Sequence, residues 1–362
     1  MKITGYQTSA IGVPVSDTAI RDAVGTYVVL RLRTDEGIEG IGYASGVSPS
    51  TVRSFIGVLE EYLDQLIGWN PLASEAISTP RVKFGTPGVF RRSGSWPGYQ
   101  TRAARTIDVA LWDIKGKVAN MPVYQLMGGF RDRVPCYASW RIEPGTADAL
   151  DLGTSARFLV DQGFRAMKFH VRTLDHDGTV QHMRELREAV GPDIDIMVDN
   201  YQGWDLKQSL RMADALAPYN PYWIEDPLPL EDFEGMRQLR DAMQTYLCAG
   251  EQYRDLVSFR RLLEHRSVDI TMVDLDLGLT GFLKVAHLAE AFGVPVVSHL
   301  ATEVMAHAVA AVPNGLTVEY VPWASPMFHE ALQVDGGEIV LPQRPGLGLE
   351  LDEAALRKLA LD

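Results

Sequence analysis

Three apolar runs in the middle of the chain each end on a carboxylate, at a fixed interval. Ile196-Met-Val-Asp199, Trp223-Ile-Glu225 and Leu247-Cys-Ala-Gly-Glu251 carry acids spaced 26 residues apart. A strand, a helix and their two connections occupy about 25–35 residues, so the interval is that of successive units of a parallel βα array. Strands of such an array end at one rim, and acids at neighbouring tips point at one place. Three hard anionic oxygens at one place need a cation, and Mg2+ is the usual one. A single acid at a strand end is ordinarily a surface group; three in the same register make that reading poor.

The length agrees with this. The chain has 362 residues, too many for one ordinary core, and a (β/α)8 barrel uses roughly 250 of them, leaving about a hundred for a second unit. The net charge of −13 argues against nucleic acid or an anionic membrane as a partner. An anionic substrate must then be drawn in by a local positive group. The two cysteines, Cys136 and Cys248, lie in apolar runs without a C-x-x-C spacing, which predicts buried thiols in a reducing compartment. No apolar leader follows Met1 and no run approaches the roughly 18 apolar residues of a membrane span, so a cytoplasmic protein is expected.

Residues 1–45 are expected to be strands. Thr26–Thr34 alternates and is rich in β-formers, Asp35-Glu-Gly37 supplies a turn, and Ile38–Tyr43 returns. Val52, Phe55, Ile56, Val58, Leu59 and Leu63 fall at helical spacing, as do Ala104, Ile107, Ala110, Leu111 and Ile114. Residues 80–100 read as a loop. From Val134 the rhythm becomes βα. Strands are expected at Pro135–Trp140, Ala166–His170, Asp195–Asp199, Tyr222–Glu225, Leu247–Glu251, Ile270–Asp274, Val294–His299 and Thr317–Glu319. Helices are expected between most of them, such as Ala147–Gln162, Val180–Val190 and Leu206–Leu216. Eight strands alternating with helices favour a barrel, although the count by itself leaves an open sheet as the alternative. Asp335-Gly-Gly in the tail marks one more turn between short β runs.

The other expected strands also end in reactive side chains. The second offers Lys168 and His170, which share parity and so face the same side. The sixth offers Asp274, the seventh His299 and the eighth Glu319. Singly, each has an ordinary reading as a solvated or hydrogen-bonded structural group. Together they supply a functional residue at every strand from second to eighth.

With these residues the chain resembles the enolase superfamily, and within it the mandelate racemase-like group. The resemblance covers nearly the whole chain. It includes Ile107–Lys117 and Pro122–Gly129, similar to that group's link from capping domain to barrel, and Gly278-Leu-Thr-Gly281 after the sixth strand. It implies an α/β fold: a modified (β/α)8 barrel, written (β/α)7β, with an α+β capping domain formed by the N-terminal part and the C-terminal tail. The corresponding boundaries are 1–125 for the capping domain, 126–325 for the barrel and 326–362 for the returning segment. It also implies one Mg2+ per subunit held by Asp199, Glu225 and Glu251. In that comparison Lys168 is the partner of the substrate carboxylate, Glu319 the acid that bonds its other oxygen, and His299 the histidine of a His–Asp dyad. A homo-oligomer, dimer or octamer, is implied as well.

Three departures bear on chemistry. The group often carries Lys-x-Lys on the second strand where this chain has Lys168-x-His170; imidazole still moves a proton near neutrality. The dyad aspartate is open between Asp274, favoured because a catalytic histidine needs a carboxylate to fix its tautomer, and Asp276. Tyr201 replaces a usual Asn beside Asp199. The expected activity is dehydration of an aldonate or aldarate: α-proton abstraction to an enediolate, then loss of the β-hydroxyl to a 2-keto-3-deoxy acid. The alternatives are a racemase, epimerase or lactone cycloisomerase through the same enediolate, and a non-catalytic binding protein on the same fold. Selectivity is expected from loops at Ser16–Arg21, Gly46–Thr51 and Val82–Tyr99, with Arg91, Arg92 and Trp96 as candidates.

Overall fold

The computed structural model describes residues 1–14, 24–78, 98–139, 152–171 and 174–361. Strands β1 (Ile3–Pro14), β2 (Val24–Thr34) and β3 (Glu39–Ala44) form an antiparallel sheet in sequence order. The β2–β3 turn is the expected one: Gly37 takes φ 75° and the Thr34 amide bonds the Ile38 carbonyl at 3.1 Å. The sheet is buried on both faces. Val28, Leu30 and Leu32 of β2 pack with Phe55, Leu59 and Leu63 of α1 (Val52–Asp64), while Tyr27 and Val29 join the barrel-side core. An odd–even split of one strand between two cores follows from side chains alternating across the pleat.

After the short helix α2 (Ser74–Ser78), helix α3 (Tyr99–Ala119) lies directly against β3. Two glycines permit the approach. A Cβ on Gly40 would stand 2.2 Å from the Ala110 carbonyl oxygen and one on Gly42 2.4 Å from that of Thr106. Helix α3 ends at Asn120 in the left-handed region, and α4 (Val123–Met127) leads into the barrel.

The barrel alternates β4 (Arg133–Ala138), α5 (Leu152–Asp161), β5 (Ala166–His170), α6 (His176–Val190), β6 (Asp195–Asp199), α7 (Leu206–Leu216), β7 (Trp223–Glu225), α8 (Phe233–Ala242), β8 (Tyr246–Ala249), α9 (Leu256–Glu264), β9 (Ile270–Asp274), α10 (Gly278–Ala291), β10 (Val296–His299), α11 (Thr302–Ala311) and β11 (Val318–Tyr320). Strands β4 to β10 pair in parallel in sequence order. β11 pairs in parallel with β4, and Gly315 ahead of it bridges Val296 of β10. This returning order gives the eight-stranded capped barrel rather than an open sheet. Helices α6, α7, α8 and α9 each start on an aspartate, Asp175, Asp205, Asp232 and Asp255, whose side chain accepts a first-turn amide. Each such cap is worth about 1 kcal/mol. Tyr137, Met197, Trp223, Cys248, Ile270, Met272 and Val297 fill the barrel interior.

The tail makes two attachments. β12 (Gln333–Asp335) and β13 (Glu338–Val340) form a hairpin on the first half of β4. Helix α12 (Glu353–Leu359) follows, with Ala360 bridging Ile11 of β1 and Glu353 paired with Arg31 of β2. The expected first barrel strand begins two residues earlier than read, at Arg133, and Trp140 lies outside the described residues. The expected β8 ends at Ala249, so Glu251 sits two residues past the strand. Residues Ser16–Arg21, Arg91, Arg92, Trp96 and the start of the helix expected from Ala147 lie outside the described residues too. Among the described residues no helix is long and apolar enough to cross a membrane.

Candidate active site

The reactive side chains meet at the C-terminal rim of the barrel. Asp199 and Glu225 are the last residues of β6 and β7. Glu251 reaches the same point from a turn that Gly250 makes possible: at φ 135°, a Cβ there would stand 2.5 Å from the Met272 carbonyl oxygen. One carboxylate oxygen from each of the three lies within 4.8 Å of the others, and all three residues are buried. Hard oxygen donors, close-set and desolvated, are the donor set of a Mg2+ site, so these residues fit that ion.

Lys168, two residues before the end of β5, is fully buried beneath them. Its Nζ lies 2.7 Å from Glu225 Oε1, 3.0 Å from Glu319 Oε1 and 3.7 Å from Asp199 Oδ2. Burial disfavours its ammonium form, but Glu225 and Glu319, helped by Tyr137 and Asp199, outweigh that and raise its pKa well above the ordinary lysine value. Glu225 is pushed up by burial and by its neighbours Asp199, Glu251 and Glu319, against the pull of Lys168. One lysine does not balance this many carboxylates, which is the electrostatic side of the fit to a dication. Trp223 Nε1 donates to Glu225 Oε2 at 3.0 Å and the Tyr201 amide to Asp199 Oδ1 at 2.9 Å, fixing both acids.

Two imidazoles flank the cluster. His170 Nε2 lies 3.0 Å from Asp199 Oδ2, and His299 Nε2 lies 3.0 Å from Glu251 Oε2. The other nitrogen of His299, Nδ1, donates to Asp274 Oδ2 at 2.5 Å. Burial lowers the pKa of His299, but Glu251, Asp274 and Glu319 together raise it well above the usual imidazole value. Asp274 is held below the carboxylate range: burial raises it, and His299, Arg254 and the Asp276 amide outweigh that. Glu319 Oε2 accepts the Leu300 amide at 2.7 Å, which keeps its other oxygen on Lys168. Leu300 and Ala301 take positive φ, 49° and 47°, as do Tyr201 at 49° and Asp226 at 40°. Such backbone costs of order 1–3 kcal/mol per residue and is concentrated here at strand tips.

Lys168, His170, Asp199, Glu225, Glu251, Asp274, His299 and Glu319 thus lie at one rim, and of the two candidate aspartates it is Asp274 that touches His299. Asp274 contacts His299, whereas Asp276 is bound bidentately by Arg102 of α3, at 3.1 Å to each oxygen, and by Arg254 at 3.1 Å. The Asp276 amide donates to Asp274 Oδ1 at 2.6 Å. Arg102 also donates to the Gly46 carbonyl at 3.1 Å, tying the loop after β3 to this corner. Sequence reasoning passed over Arg102, Arg254 and Asp226. Asp226 is buried beside the cluster, accepts the Gly250 amide at 3.3 Å, and is raised well above the usual range by burial and by Glu251. The only signal for it was its place in Glu225-Asp-Pro227; nothing in the sequence joined Arg102 to residue 276.

Residues 8–128 match the family described as mandelate racemase / muconate lactonizing enzyme, N-terminal domain, and residues 151–355 match enolase C-terminal domain-like. The chain is 29% identical over 348 residues to an L-talarate/galactarate dehydratase of Salmonella typhimurium, covering 95% of this chain and 83% of that one. It is 31% identical over 342 residues to a 3,6-anhydro-alpha-L-galactonate cycloisomerase of Streptomyces coelicolor, 92% of this chain and 91% of that one. Among solved structures, an L-talarate dehydratase from Polaromonas sp. JS666 complexed with Mg and L-glucarate superposes with a TM-score of 0.87 at 28% identity, covering 100% of this chain and 98% of the other.

Proposed function

Because the chain belongs to the mandelate racemase/muconate lactonizing enzyme family of the enolase superfamily, we propose that it is a Mg2+-dependent hydro-lyase that removes water from a sugar acid to give a 2-keto-3-deoxy acid. Asp199, Glu225 and Glu251 would hold the ion, which when bound supplies a fixed divalent charge opposite the substrate carboxylate. The division at residues 125 and 325 is part of the same proposal.

The observation that carries the reading is the pair of imidazoles presenting Nε2 to one carboxylate cluster, His170 at Asp199 and His299 at Glu251. A substrate anchored between them meets two proton carriers of the same intrinsic basicity that work in opposite protonation states near neutrality. His170 takes the α-proton. The electron pair left behind forms the Cα–Cβ double bond and expels the β-hydroxyl, which leaves as water with the proton delivered by His299. Asp274 on Nδ1 holds His299 with Nε2 toward the site and stabilises its imidazolium form. Lys168, charged and immobile, stabilises the negative charge that develops on the carboxylate as the α-proton leaves, and Glu319 fixes the lysine. The enol product then tautomerises to the keto acid. The order of the two imidazoles can be exchanged without altering the balance.

The 31% identity to a cycloisomerase supports a second reading in which the same pair moves a proton without loss of water. A screen of sugar acids with Mg2+ in D2O, read by mass and NMR, separates them. Products lighter by one water are expected. Substrates returned at unchanged composition with deuterium and inverted configuration at the α-carbon would overturn the dehydratase reading in favour of a racemase or epimerase.

A further inference from the structure

The three acids of the cluster are not held alike. Asp199 and Glu225 end strands, and neighbouring backbone fixes them: the Asp199 carbonyl accepts the Val171 amide at 2.8 Å and the Glu225 carbonyl the Asn200 amide at 3.1 Å. Glu251 lies two residues past β8, on a turn in which the Tyr253 amide donates to the Gly250 carbonyl at 3.0 Å. Its own carbonyl accepts a side chain instead, Nη1 of Arg254, which also reaches the Tyr253 carbonyl at 3.3 Å. A guanidinium on a carbonyl is a charge-assisted bond, and here it does for Glu251 what backbone amides do for the other two acids. The Glu251 carboxylate is oriented by Gln252 Nε2 at 2.7 Å and His299 Nε2 at 3.0 Å.

The same guanidinium also faces the dyad. Arg254 Nε lies 3.1 Å from Asp276 Oδ2. The Asp276 amide donates to Asp274 Oδ1 at 2.6 Å, Asp274 Oδ2 accepts His299 Nδ1 at 2.5 Å, and His299 Nε2 returns to Glu251. Arg254 thereby closes a ring of contacts that runs through one acid of the cluster and one proton carrier. A rigid planar fork sets the spacing of two groups it bridges; a single ammonium on a flexible stem does not. The Arg254 side chain is largely buried, and it acts through Glu251 and Asp276 rather than on the substrate.

We infer that Arg254 is a positioning residue that fixes Glu251 and the His299–Asp274 pair relative to each other, so that one side chain supports both Mg2+ affinity and proton transfer. This rests on the reading of Asp199, Glu225 and Glu251 as the Mg2+ ligands, and not on which product is released.

The test measures Mg2+ dissociation constants by calorimetry on chelator-treated wild type, Arg254→Met, Arg254→Lys and Asp276→Asn, each shown to be folded by far-UV circular dichroism. Turnover of an acid sugar found by the screen is then measured at saturating Mg2+. Arg254→Met leaves Asp276 on both nitrogens of Arg102, so no buried carboxylate loses its last partner. Its Mg2+ affinity is expected to fall by about tenfold or more, the usual effect of removing a group that orients a metal ligand. Asp276→Asn keeps the arginine on the Glu251 carbonyl and should bind Mg2+ within about twofold of wild type. At saturating Mg2+ both variants should lose roughly tenfold in kcat, with KM changed less than about threefold. Arg254→Lys, which cannot span both partners, should fall below wild type in Mg2+ affinity, in kcat or in both. An Arg254→Met protein with wild-type Mg2+ affinity or wild-type kcat overturns the inference. So does an Asp276→Asn protein that loses as much Mg2+ affinity as Arg254→Met, or an Arg254→Lys protein equal to wild type in both. The two readings fail separately. Wild type that takes up no Mg2+ refutes the metal site and this inference with it; wild type and Arg254→Met that bind Mg2+ equally refute the inference and keep the metal site.

Discussion

The contact most open to a decisive experiment is the one between Asp274 and His299. Asp274 serves two donors at once: Oδ2 takes His299 Nδ1–H at 2.5 Å and Oδ1 takes the Asp276 amide at 2.6 Å. Asp274→Asn keeps the shape but has one oxygen for two donors. The backbone amide cannot turn away, so the Asn oxygen stays with it and the NH2 faces the imidazole. Nδ1 must then accept, so His299 rests as the neutral Nε2–H imidazole and loses the carboxylate that stabilises the imidazolium it needs as the acid. Losing the charge-assisted bond costs about 1.5–3 kcal/mol. With the acid form of His299 destabilised as well, a fall in kcat/KM of roughly 10²–10⁴ is expected, equivalent to about 2.7–5.4 kcal/mol of transition-state stabilisation. His299→Asn should cost a similar factor. Because Asp274 acts only through His299, the double variant should fall no more than about threefold below the worse single one. The assay is steady-state turnover of an acid sugar found by the screen, with far-UV circular dichroism to establish that each variant is folded. Single losses that multiply in the double variant would refute the unit, as would an Asp274→Asn protein within threefold of wild type.

Removal of Mg2+ by exhaustive chelation should abolish turnover and re-addition restore it; full activity with no metal by elemental analysis would contradict the assignment of Asp199, Glu225 and Glu251. Arg102→Met should lower kcat roughly tenfold by loosening Asp276 and, through its amide, Asp274, with Arg102→Lys recovering part of the loss; a wild-type kcat in the Met variant refutes this coupling. His307 accepts the Tyr124 amide on Nδ1 at 3.2 Å and its Nε2 donates to the Leu347 carbonyl at 3.0 Å, so it must be neutral, and burial lowers its pKa from 6.5 to about 4. A depressed folded-state pKa means that the unfolded chain binds the extra proton: the stabilisation is complete above pH 6.5 and falls as pH drops toward 4, by up to about 3 kcal/mol. Chemical denaturation of wild type and His307→Gln should show a shallower pH slope in the variant across that window, and equal slopes would refute the role. Light scattering at micromolar concentration should give a mass above that of one 362-residue chain; a monomer would count against a symmetric oligomer.

The barrel was legible because its signal is local and repeated. An apolar run of a few residues followed by an amphipathic helix recurs from Val134 onward, and each is set by the period of its own backbone. The positions of Asp199, Glu225, Asp274 and His299 followed from the same rhythm, since each ends a strand. The apolar pattern puts Glu251 at a strand end, but Gly250 carries it past one, a backbone excursion that a hydrophobic pattern does not encode.

Sequence by itself determined the alternation of elements, the parity that turns Lys168 and His170 to one side, and the reactive side chain offered by each unit. Only the tertiary structure decided between Asp274 and Asp276. Both lie near one strand tip, and what separates them is an arginine 174 residues away along the chain, on a helix of the other layer. Tyr43 of the capping sheet and Glu303 of a barrel helix likewise meet across 260 residues of sequence, and nothing local marks them as neighbours. Periodicity is fixed by bonds between near neighbours in sequence. Charge pairing and cavity shape are fixed by which remote segments closure of the barrel and docking of the sheet bring within a few ångströms.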